Sequence, residues 1–445
     1  MQQRPFRPLF LASIVIAAGA FLLSINRPTA PDAAMAEVLT AEGGLKWYQG
    51  NLHTHSLWSD GDDYLEMIAL WYKDHDYDFL CFTDHNVLPD HQRWSDVLKN
   101  KGKQQAYDKL KARFPDGWTD ERTVDNRLEV RLKTFDEVSH KIAEPGKFLL
   151  IQGEEISDRF ELVPIHLNAT NIQQMIPPLG GESVYDTMQN NVNAVIAQRE
   201  RTGEPIFVHL NHPNFYYAVT AEDLMRVRGE NFFEVYNGHP SVRNAGDETH
   251  ASTERIWDII LTERLARIGL PMMYALATDD GHSYHRIPSR DSEPGRGWVM
   301  VLADELSPAA LIEAMESGRF YASSGVSFAQ VTSSPDGLEL EIEPEPGASY
   351  TIEFIGTRKG YDRTSKPMID KDGKEVRATR IYSDDVGTVF HKVSGTKGAY
   401  HFTGDEIYVR ARVTSSKLHP NPSEVGEFKQ AWAQPVRGPA AMKAE

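Results

Sequence analysis

From about residue 46 to 325, the pattern of apolar and polar positions defines two kinds of segment, which alternate along the chain. Short runs rich in β-branched and aromatic residues, such as DFLCFTDH and PIFVHLNH, predict buried strands. Between them apolar residues recur at helical spacing, as in Leu65, Ile68 and Tyr72. Strands that alternate with helices over this length predict an α/β fold with parallel strands, for which a closed barrel is the usual solution.

The predicted elements can be placed on the chain. The predicted strands are KWYQGNLH, DFLCFTDH, FLLIQGEEI, PIHLNAT, PIFVHLNH, NFFEVYNG, MMYALATDD and GWVMVLA. The predicted helices cover residues 62–75, 122–143, 183–200 and 251–268. The polar segment 90–120 predicts a helical insertion in this first region, which spans residues 37–325.

After the segment RFYASSG the pattern changes. Runs such as GLELEIEPEP and EIYVRARVTSS alternate apolar and polar positions, with turn residues about every ten positions. This alternation is typical of an antiparallel β-sandwich. We therefore expect an accessory β domain over residues 326–445, without chemistry of its own, since it holds few of the histidines.

The N-terminus predicts export. Arg4 and Arg7 precede an uncharged apolar run at 9–25, and Ala34 and Ala36 give the small-residue pattern that signal peptidases cleave. Residues 1–36 are therefore interpreted as a signal peptide, with an uncleaved membrane anchor as the alternative. The single cysteine, Cys81, excludes an internal disulfide and favours a bacterial periplasm over a disulfide-dense secreted module.

The composition limits the partners. The chain has 445 residues, 40% of them hydrophobic, and 64 acidic against 47 basic residues give a formal charge of −17. An acidic surface repels phosphate backbones, which argues against nucleic-acid binding. Small anionic substrates remain compatible, because bound cations reverse the field inside a pocket.

Residues of the types that can bind metals follow nearly every predicted strand. They are His53, His55 and Asp60; Asp84 and His85; Glu154 and Glu155; His166; His209 and His212; Glu234 and His239; and Asp279, Asp280 and His282. In a parallel barrel such positions meet at one mouth. A single histidine of this kind is usually an ordinary polar residue, but so many charges at one mouth need a compensating cation. Imidazole and carboxylate without thiolate favour two or three zinc, manganese or iron ions.

These motifs resemble the polymerase and histidinol phosphatase (PHP) superfamily. The resemblance rests on H-x-H-x4-D-G, T-D-H, G-E-E-I-S, N-H-P and D-x-H, in that order over residues 46–290. It implies a distorted (β/α)7-type barrel. The β-rich tail is similar, more loosely, to the exported carbaryl hydrolase-like branch.

The resemblance also implies a ligand set. His53, His55, Glu155 and Asp280 would hold a first metal, Glu155, His166 and His212 a second, and Asp60, His85 and His282 a third. It selects Glu155 over Glu154, His212 over His209 and Asp280 over Asp279. Asp279 then becomes a candidate orienting partner.

Such a site predicts hydrolysis by a hydroxide that bridges the metals. His239 or Asp84 are candidate acids for the leaving group, and Arg290 or Arg296 could clamp an anionic substrate; hydrogen bonding around the ligands and surface ion pairs are the alternatives. We expect a phosphoesterase for a phosphomonoester or small phosphodiester. A hydrolase of carboxylic esters, carbamates or amides is the alternative, and a non-enzymatic binding module ranks third.

Overall fold

The computed structural model describes residues 37–41 and 43–442 of the chain. The segment 1–36, predicted as a signal peptide or an anchor, lies outside the described residues. Among the described residues, no helix is both long enough and apolar enough to cross a membrane. All of the described residues belong to one compact unit.

The structure contains 22 strands and seven α-helices within its described residues. The strands up to residue 303 are β1 Glu37–Leu39, β2 Lys46–Asn51, β3 Phe79–Phe82, β4 Arg93–Asp96, β5 Glu121–Val124, β6 Arg127–Leu132, β7 Leu149–Phe160, β8 Val163–Thr170, β9 Phe207–Leu210, β10 Phe232–Asn237, β11 Tyr274–Thr278 and β12 Trp298–Ala303. The later strands are β13 Phe320–Ser323, β14 Ser327–Ser334, β15 Gly337–Glu343, β16 Tyr350–Arg358, β17 Ser365–Lys366, β18 Ile381–Tyr382, β19 Thr388–Ser394, β20 Lys397–His401, β21 Glu406–Leu418 and β22 Phe428–Arg437. The helices are α1 Leu65–Asp74, α2 Lys103–Arg113, α3 Phe135–Ile142, α4 Val184–Thr202, α5 Ala221–Leu224, α6 Thr253–Glu263 and α7 Pro308–Glu316, and α6 continues as a π-helical turn, Arg264–Ile268.

Thirteen strands form one mixed sheet. Their order is β11-β10-β9-β8-β7-β3-β2-β12-β13-β22-β21-β16-β19. The predicted α/β class is confirmed, but the prediction of parallel strands throughout is wrong, because β8 runs antiparallel to both of its neighbours. The cause is local: only residues 161 and 162 join β7 to β8, and a connection this short can make only an antiparallel hairpin.

The seven strands from β11 to β2 curl until the chain segments that follow the outer two meet. Thr54, after β2, forms a parallel bridge with Gly281, after β11. The backbone N–H of His55 donates to the carbonyl of Gly281 over 3.0 Å. This contact brings the first and last of the predicted ligand motifs side by side, while a complete (β/α)7-type barrel stays a prediction.

Helices cover the outside of this curved sheet. Helix α4 begins where the Ser183 hydroxyl accepts the N–H of Asp186, and it ends at Gly203, whose φ of 73° suits a left-handed residue. Helix α6 packs Ile256, Trp257 and other apolar side chains against the sheet in the largest core cluster. Each fully buried side chain of this size contributes about 1.5–3 kcal/mol to folding.

The region predicted as one helix at 122–143 is different in the structure. A three-stranded antiparallel sheet, β4-β6-β5, lies beside helix α2, and only α3 is helical. Asp125 and Asn126 both have positive φ, 50° and 58°, and form the tight turn between β5 and β6. The helix prediction is therefore wrong over residues 122–134, and the segment at 90–120 contains strand β4 as well as a helix.

The later strands are antiparallel, as their alternation predicts. Strands β1, β14, β15 and β20 form a second sheet, and its apolar side chains share one cluster with those of β16, β21 and β22 in the large sheet. Strand pairing crosses the boundary predicted at residue 325, since β22 pairs with β13, with Trp432 opposite Ala322.

A buried ionic network joins helix α6 to strand β21. The Arg410 guanidinium donates to both carboxylate oxygens of Asp258, over 2.7 Å each, and lies 4.7 Å from the ring of Trp257. Arg410 is 1% exposed. Because both charges are removed from water, separating them would leave a buried charge unpaired. The pair therefore holds helix α6 against strand β21.

Candidate metal centre

All nine residues predicted as metal ligands lie at one place. They follow the strands β2, β3, β7, β8, β9 and β11 or lie in them, and together they make up four overlapping groups in which the ligand atoms are within 4.8 Å of one another. The groups are His55-Asp60-His85-His282, His53-His55-Glu155, His53-His212-Asp280 and His85-Glu155-His166. The curled sheet therefore converts motifs that are up to 229 positions apart in sequence into one cluster.

Glu155 lies at the centre of this cluster, and its two oxygens face different histidines. The nitrogen distances from Oε1 are 2.9 Å to His166, 3.4 Å to His212 and 3.5 Å to His53, and those from Oε2 are 2.7 Å to His85 and 3.3 Å to His55. A carboxylate has about four lone-pair positions and cannot satisfy five imidazoles by hydrogen bonds. Shared cations would satisfy them.

The distances around Asp280 fit a metal better than hydrogen bonds. Its Oδ1 lies 3.2 Å from Nε2 of His53 and 3.2 Å from Nε2 of His55. Two ligand atoms that each lie 2.0–2.2 Å from a tetrahedral ion are about 3.4 Å apart. The buried Nε2 atoms of both histidines have no hydrogen-bond partner in the described part of the chain. The donor set and its orphaned atoms fit a divalent transition metal.

Asp60, His85 and His282 form a more open group at the edge of the cluster. Oδ1 of Asp60 lies 3.2 Å from Nε2 of His282 and 3.5 Å from Nε2 of His85. The Asp60 side chain is 50% exposed, against 6% or less for His53, His55, Glu155 and Asp280. Solvent therefore reaches the cluster from this side.

The expected second set is divided in the structure. His166 and His212 both face Oε1 of Glu155, with their ring centroids 5.2 Å apart. However, His212 groups with His53 and Asp280, whereas His166 groups with His85 and Glu155. The implied assignment of Glu155, His166 and His212 to one ion thus stays a prediction.

Glu234 orients His53. It accepts from Nδ1 of His53 over 2.7 Å and from the N–H of His212 over 2.7 Å. Since Nδ1 carries the proton, Nε2 of His53 presents its lone pair to Glu155 and Asp280. In the same way, Nδ1 of His282 donates to the Asp280 carbonyl over 2.8 Å, which leaves Nε2 facing Asp60. The motifs pointed to Glu234 as a strand-end residue but not to this role.

Three asparagines that sequence reasoning missed organise the carboxylates. Asn211 donates to Oε1 of Glu155 over 2.8 Å, and to Asn168 over 2.9 Å. Asn237 donates to Glu234 over 2.8 Å and to Oδ2 of Asp280 over 3.2 Å. All three asparagines are buried. Their signal was present in the strand ends HLNA, HLNH and VYNG, each of which places an asparagine beside a candidate ligand.

The charges of the cluster shift its pKa values. Burial works against it, but His85, His166 and His53 hold the pKa of Glu155 well below its usual range. Burial, together with His282 and His85, lowers the pKa of His55 to about 3. Glu155 is therefore an anion and His55 a neutral imidazole, the forms that bind metals.

The sequence offered alternatives to three of the candidate ligands, and the side chains of these alternatives are directed away from the cluster or bound to other groups. Glu154 lies on the opposite face of β7, where Oε2 accepts the N–H of Ile176 over 2.8 Å, and burial raises its pKa to about 8. Asp279 accepts from the Tyr72 hydroxyl and from the N–H of Arg296, 2.7 Å each, and so braces the next loop rather than a ligand. His209 is buried, with Nε2 3.5 Å from Glu234.

The candidate acids differ in their surroundings. Asp84 accepts from the N–H and the hydroxyl of Ser56 over 2.7 Å each, and from the Ser59 hydroxyl, so its oxygens hold the loop after His55. Nδ1 of His239 accepts the N–H of Ser241 over 3.0 Å, and its ring lies 5.5 Å from that of His282. A neutral His239 therefore carries its proton on Nε2.

The two candidate arginines also differ. Arg296 is fully buried and donates to the carbonyl of Gly238 over 2.8 Å and to Glu293 over 3.2 Å. Its guanidinium is thus committed to structure, but its pair with Glu293 is buried and is not the surface ion pair that the sequence offered as the alternative. Arg290 is exposed and makes no hydrogen bond or ion pair with the described residues.

Two ligand positions carry strained backbone. His212 has a φ of 20° although Pro213 follows it, and Asp280 has a φ of 50°. Residues other than glycine rarely adopt such angles, and they cluster at functional sites.

No protein-family model and no curated protein matches the sequence. The chain is similar in fold to a solved two-domain protein from Bacteroides vulgatus ATCC 8482, described as containing a predicted PHP-like metal-dependent phosphoesterase: 15% identity over 93% of this chain and 98% of that chain, with a TM-score of 0.39. It is also similar to PsfC from Pseudomonas syringae PB-5123: 13% identity over 61% of this chain and 88% of that chain, with a TM-score of 0.31. At these TM-scores the chemistry has to come from this chain's own side chains.

Proposed function

We propose that this protein is a polynuclear metal-dependent hydrolase of the PHP type. Its preferred substrate is a small phosphoester outside the cytoplasm. The observation that carries the proposal is Glu155, a buried carboxylate whose two oxygens face five imidazoles. A scaffold protein has no need of such a cluster, because each unpaired buried charge costs stability.

The chain's residues divide into those that hold ions and those that fix the holders. His53, His55, Glu155 and Asp280 would hold one ion, and Glu155 would share a second with neighbouring histidines. Bound divalent ions would supply an activated water and offset the charge that develops on the attacked group. Glu234 and Asn237 keep their ligands in one orientation, so little reorganisation is needed during turnover.

His239 is the residue that this chain offers for the leaving group. Its Nδ1 is occupied by the N–H of Ser241, so its Nε2–H is free to donate a hydrogen bond that stabilises a leaving oxygen beside His282, while the proton itself comes from water. Asp84 is unsuited to this task, because Ser56 and Ser59 already occupy its oxygens. Exposed Arg290, which has no partner among the described residues, can contribute to binding an anion.

Metal dependence is tested with two adjacent glutamates. Glu155→Gln should reduce bound metal to less than one ion per chain and lower turnover by about 100-fold or more, since the central negative charge of the cluster is lost. Glu154→Gln is the matched control: its side chain lies on the other face of β7, so metal content and turnover should stay unchanged. Elemental analysis and steady-state kinetics give the two readouts. A Glu155→Gln enzyme with normal metal content and turnover would rule out the proposed centre.

Substrate class is a separate question. The manganese- or zinc-loaded protein should hydrolyse a chromogenic phosphate ester faster than the matched carboxylic ester, because the cations stabilise the more highly charged group. Hydrolysis of the carboxylic ester alone would reverse the ranking in favour of an esterase or amidase.

A further inference from the structure

A lysine from the insertion lies against the most exposed of the candidate ligands. The Lys101 ammonium donates to the backbone carbonyl of Asp60 and lies 3.6 Å from its Oδ2. The other oxygen of the same carboxylate, Oδ1, faces His282 and His85. Asp60 therefore stands between the outer ligand group and a fixed positive charge.

The outer group is the weaker one even without the lysine. The outer group, Asp60, His85 and His282, offers one carboxylate. The inner group, His53, His55, Glu155 and Asp280, offers two, Glu155 and Asp280. Its side chains are 12–50% exposed, so water competes for the ion. Nδ1 of His55 also points towards it, 3.9 Å from Asp60. If Nε2 of His55 binds in the inner group, Nδ1 is an N–H donor and cannot serve as a further ligand at this edge.

Backbone hydrogen bonds hold Asp60 in place in addition to its contact with Lys101. The N–H groups of Ser59 and Gly61 both donate to the carbonyl of Ser56, over 3.0 and 2.9 Å, and form a closed turn around Asp60. A Cβ at Gly61 would lie 2.4 Å from the His55 carbonyl, so this turn is packed directly on the ligand strand. The main effect of Lys101 on a bound ion is thus its charge.

We propose that Lys101 weakens the outer position, so that this chain keeps its inner ions firmly and exchanges the outer one. The lysine competes with the outer cation for the negative charge of Asp60. This inference rests on one part of the proposed function, which is that the cluster binds metal ions; it does not depend on the reaction. A unit charge several ångströms from a divalent ion, partly screened by water, changes its affinity by about tenfold.

The test measures metal binding rather than turnover. Wild type, Lys101→Gln and Lys101→Arg are compared with Lys99→Gln, which removes an exposed lysine of the same segment. Each protein is titrated with Zn²⁺ in a calorimeter and then analysed for metal after gel filtration. We expect two firmly held ions and a weaker third in the wild type, a Kd for the third about tenfold lower in Lys101→Gln, and wild-type values in Lys101→Arg and Lys99→Gln.

The outcomes separate the two proposals. A third-ion Kd that is unchanged or higher in Lys101→Gln, with metal still bound, overturns the role of Lys101 alone. A wild-type protein that binds no Zn²⁺ overturns the metal centre and this inference together. Asp60→Asn should abolish the third binding event only; if it abolishes all of them, the outer and inner positions are not separate and the inference fails.

Discussion

Glu66 on helix α1 is a carboxyl group that the fold keeps from water. It is 1% exposed, Oε1 accepts from the Trp118 indole over 2.9 Å, and Oε2 has no hydrogen-bond partner in the described part of the chain. Burial raises the pKa of Glu66 from 4.5 to about 7. Between these values the folded protein keeps a proton that the unfolded chain has released, so stability falls as the pH rises through this window.

Glu66→Gln should remove that loss. Relative to wild type, the variant should gain free energy of unfolding between pH 5 and pH 7.5, up to about 3 kcal/mol at about 1.4 kcal/mol per pKa unit. Urea unfolding at several pH values measures this difference. Glu313→Gln, on the exposed face of helix α7, controls for the substitution itself, and a flat difference for Glu66→Gln would contradict the prediction.

At this scale the sequence indicated which residues meet, but not how they are held. All nine predicted ligands came from short motifs, because residues at strand ends converge whatever the rest of the fold does. Asn168, Asn211 and Asn237 were missed because an asparagine in or just after the end of a strand is usually an ordinary polar residue. Their roles depend on hydrogen bonds between strands that are 40 or more residues apart.

Strand β2 needs a glycine to pack on β3. A Cβ at Gly50 would lie 2.2–2.3 Å from ring atoms of Phe79, which is fully buried. Gly50→Ala should therefore destabilise the protein by about 1–3 kcal/mol through overpacking. Since β2 leads directly to His53, metal content should fall as well.

The double variant provides the control. Phe79→Leu alone leaves a cavity, but in Gly50→Ala/Phe79→Leu the smaller side chain makes room for the methyl group. Thermal unfolding should show a combined loss smaller than the sum of the single losses. Simple additivity would mean that the two residues do not compete for the same space.

Elements were predictable where one pattern dominated. The buried strands and helices α1, α4 and α6 were found from their periodicity. The helix predicted at 122–143 failed because RLEVRL fits both periods over so short a run, and the decisive Asp125-Asn126 turn was read as part of a helix. The antiparallel direction of β8 follows from its two-residue connection to β7. The predicted strands ended too early and began too late to show how short this connection is.

The contact between helix α6 and strand β21 joins the early and late parts of the chain. Asp258→Ala removes the carboxylate that accepts two hydrogen bonds from buried Arg410 and leaves Glu254, 3.1 Å away, as its remaining carboxylate partner, which should cost about 3 kcal/mol. Asp258→Ala/Arg410→Met should recover part of this loss, because the buried guanidinium is removed as well and Glu254 keeps Arg412 as its partner. Denaturant unfolding gives both values.

A surface pair serves as the comparison. Glu341 lies 2.9 Å from Lys397 at the surface, and Glu341→Ala should cost less than about 1 kcal/mol. If Asp258→Ala were no more harmful than Glu341→Ala, the buried network would not hold the two parts together.

For the whole molecule, the sequence indicated that the strand-helix pattern gives way to a β-strand pattern near residue 325. It did not indicate that one sheet contains strands from both sides of this point. Alternation within a strand says which face is buried, while the partner strand is chosen by packing across the entire fold. The pairing of Leu39 with Val331 and of Ala322 with Trp432 could not be derived from periodicity.

The position of β22 has a consequence for biosynthesis. Strand β13 gains this neighbour only after a further hundred residues have left the ribosome. Until then its hydrogen-bonding edge is available to other nascent chains, and such open edges promote aggregation. Productive folding of this protein should therefore depend on chaperones or slow emergence more than its final stability suggests.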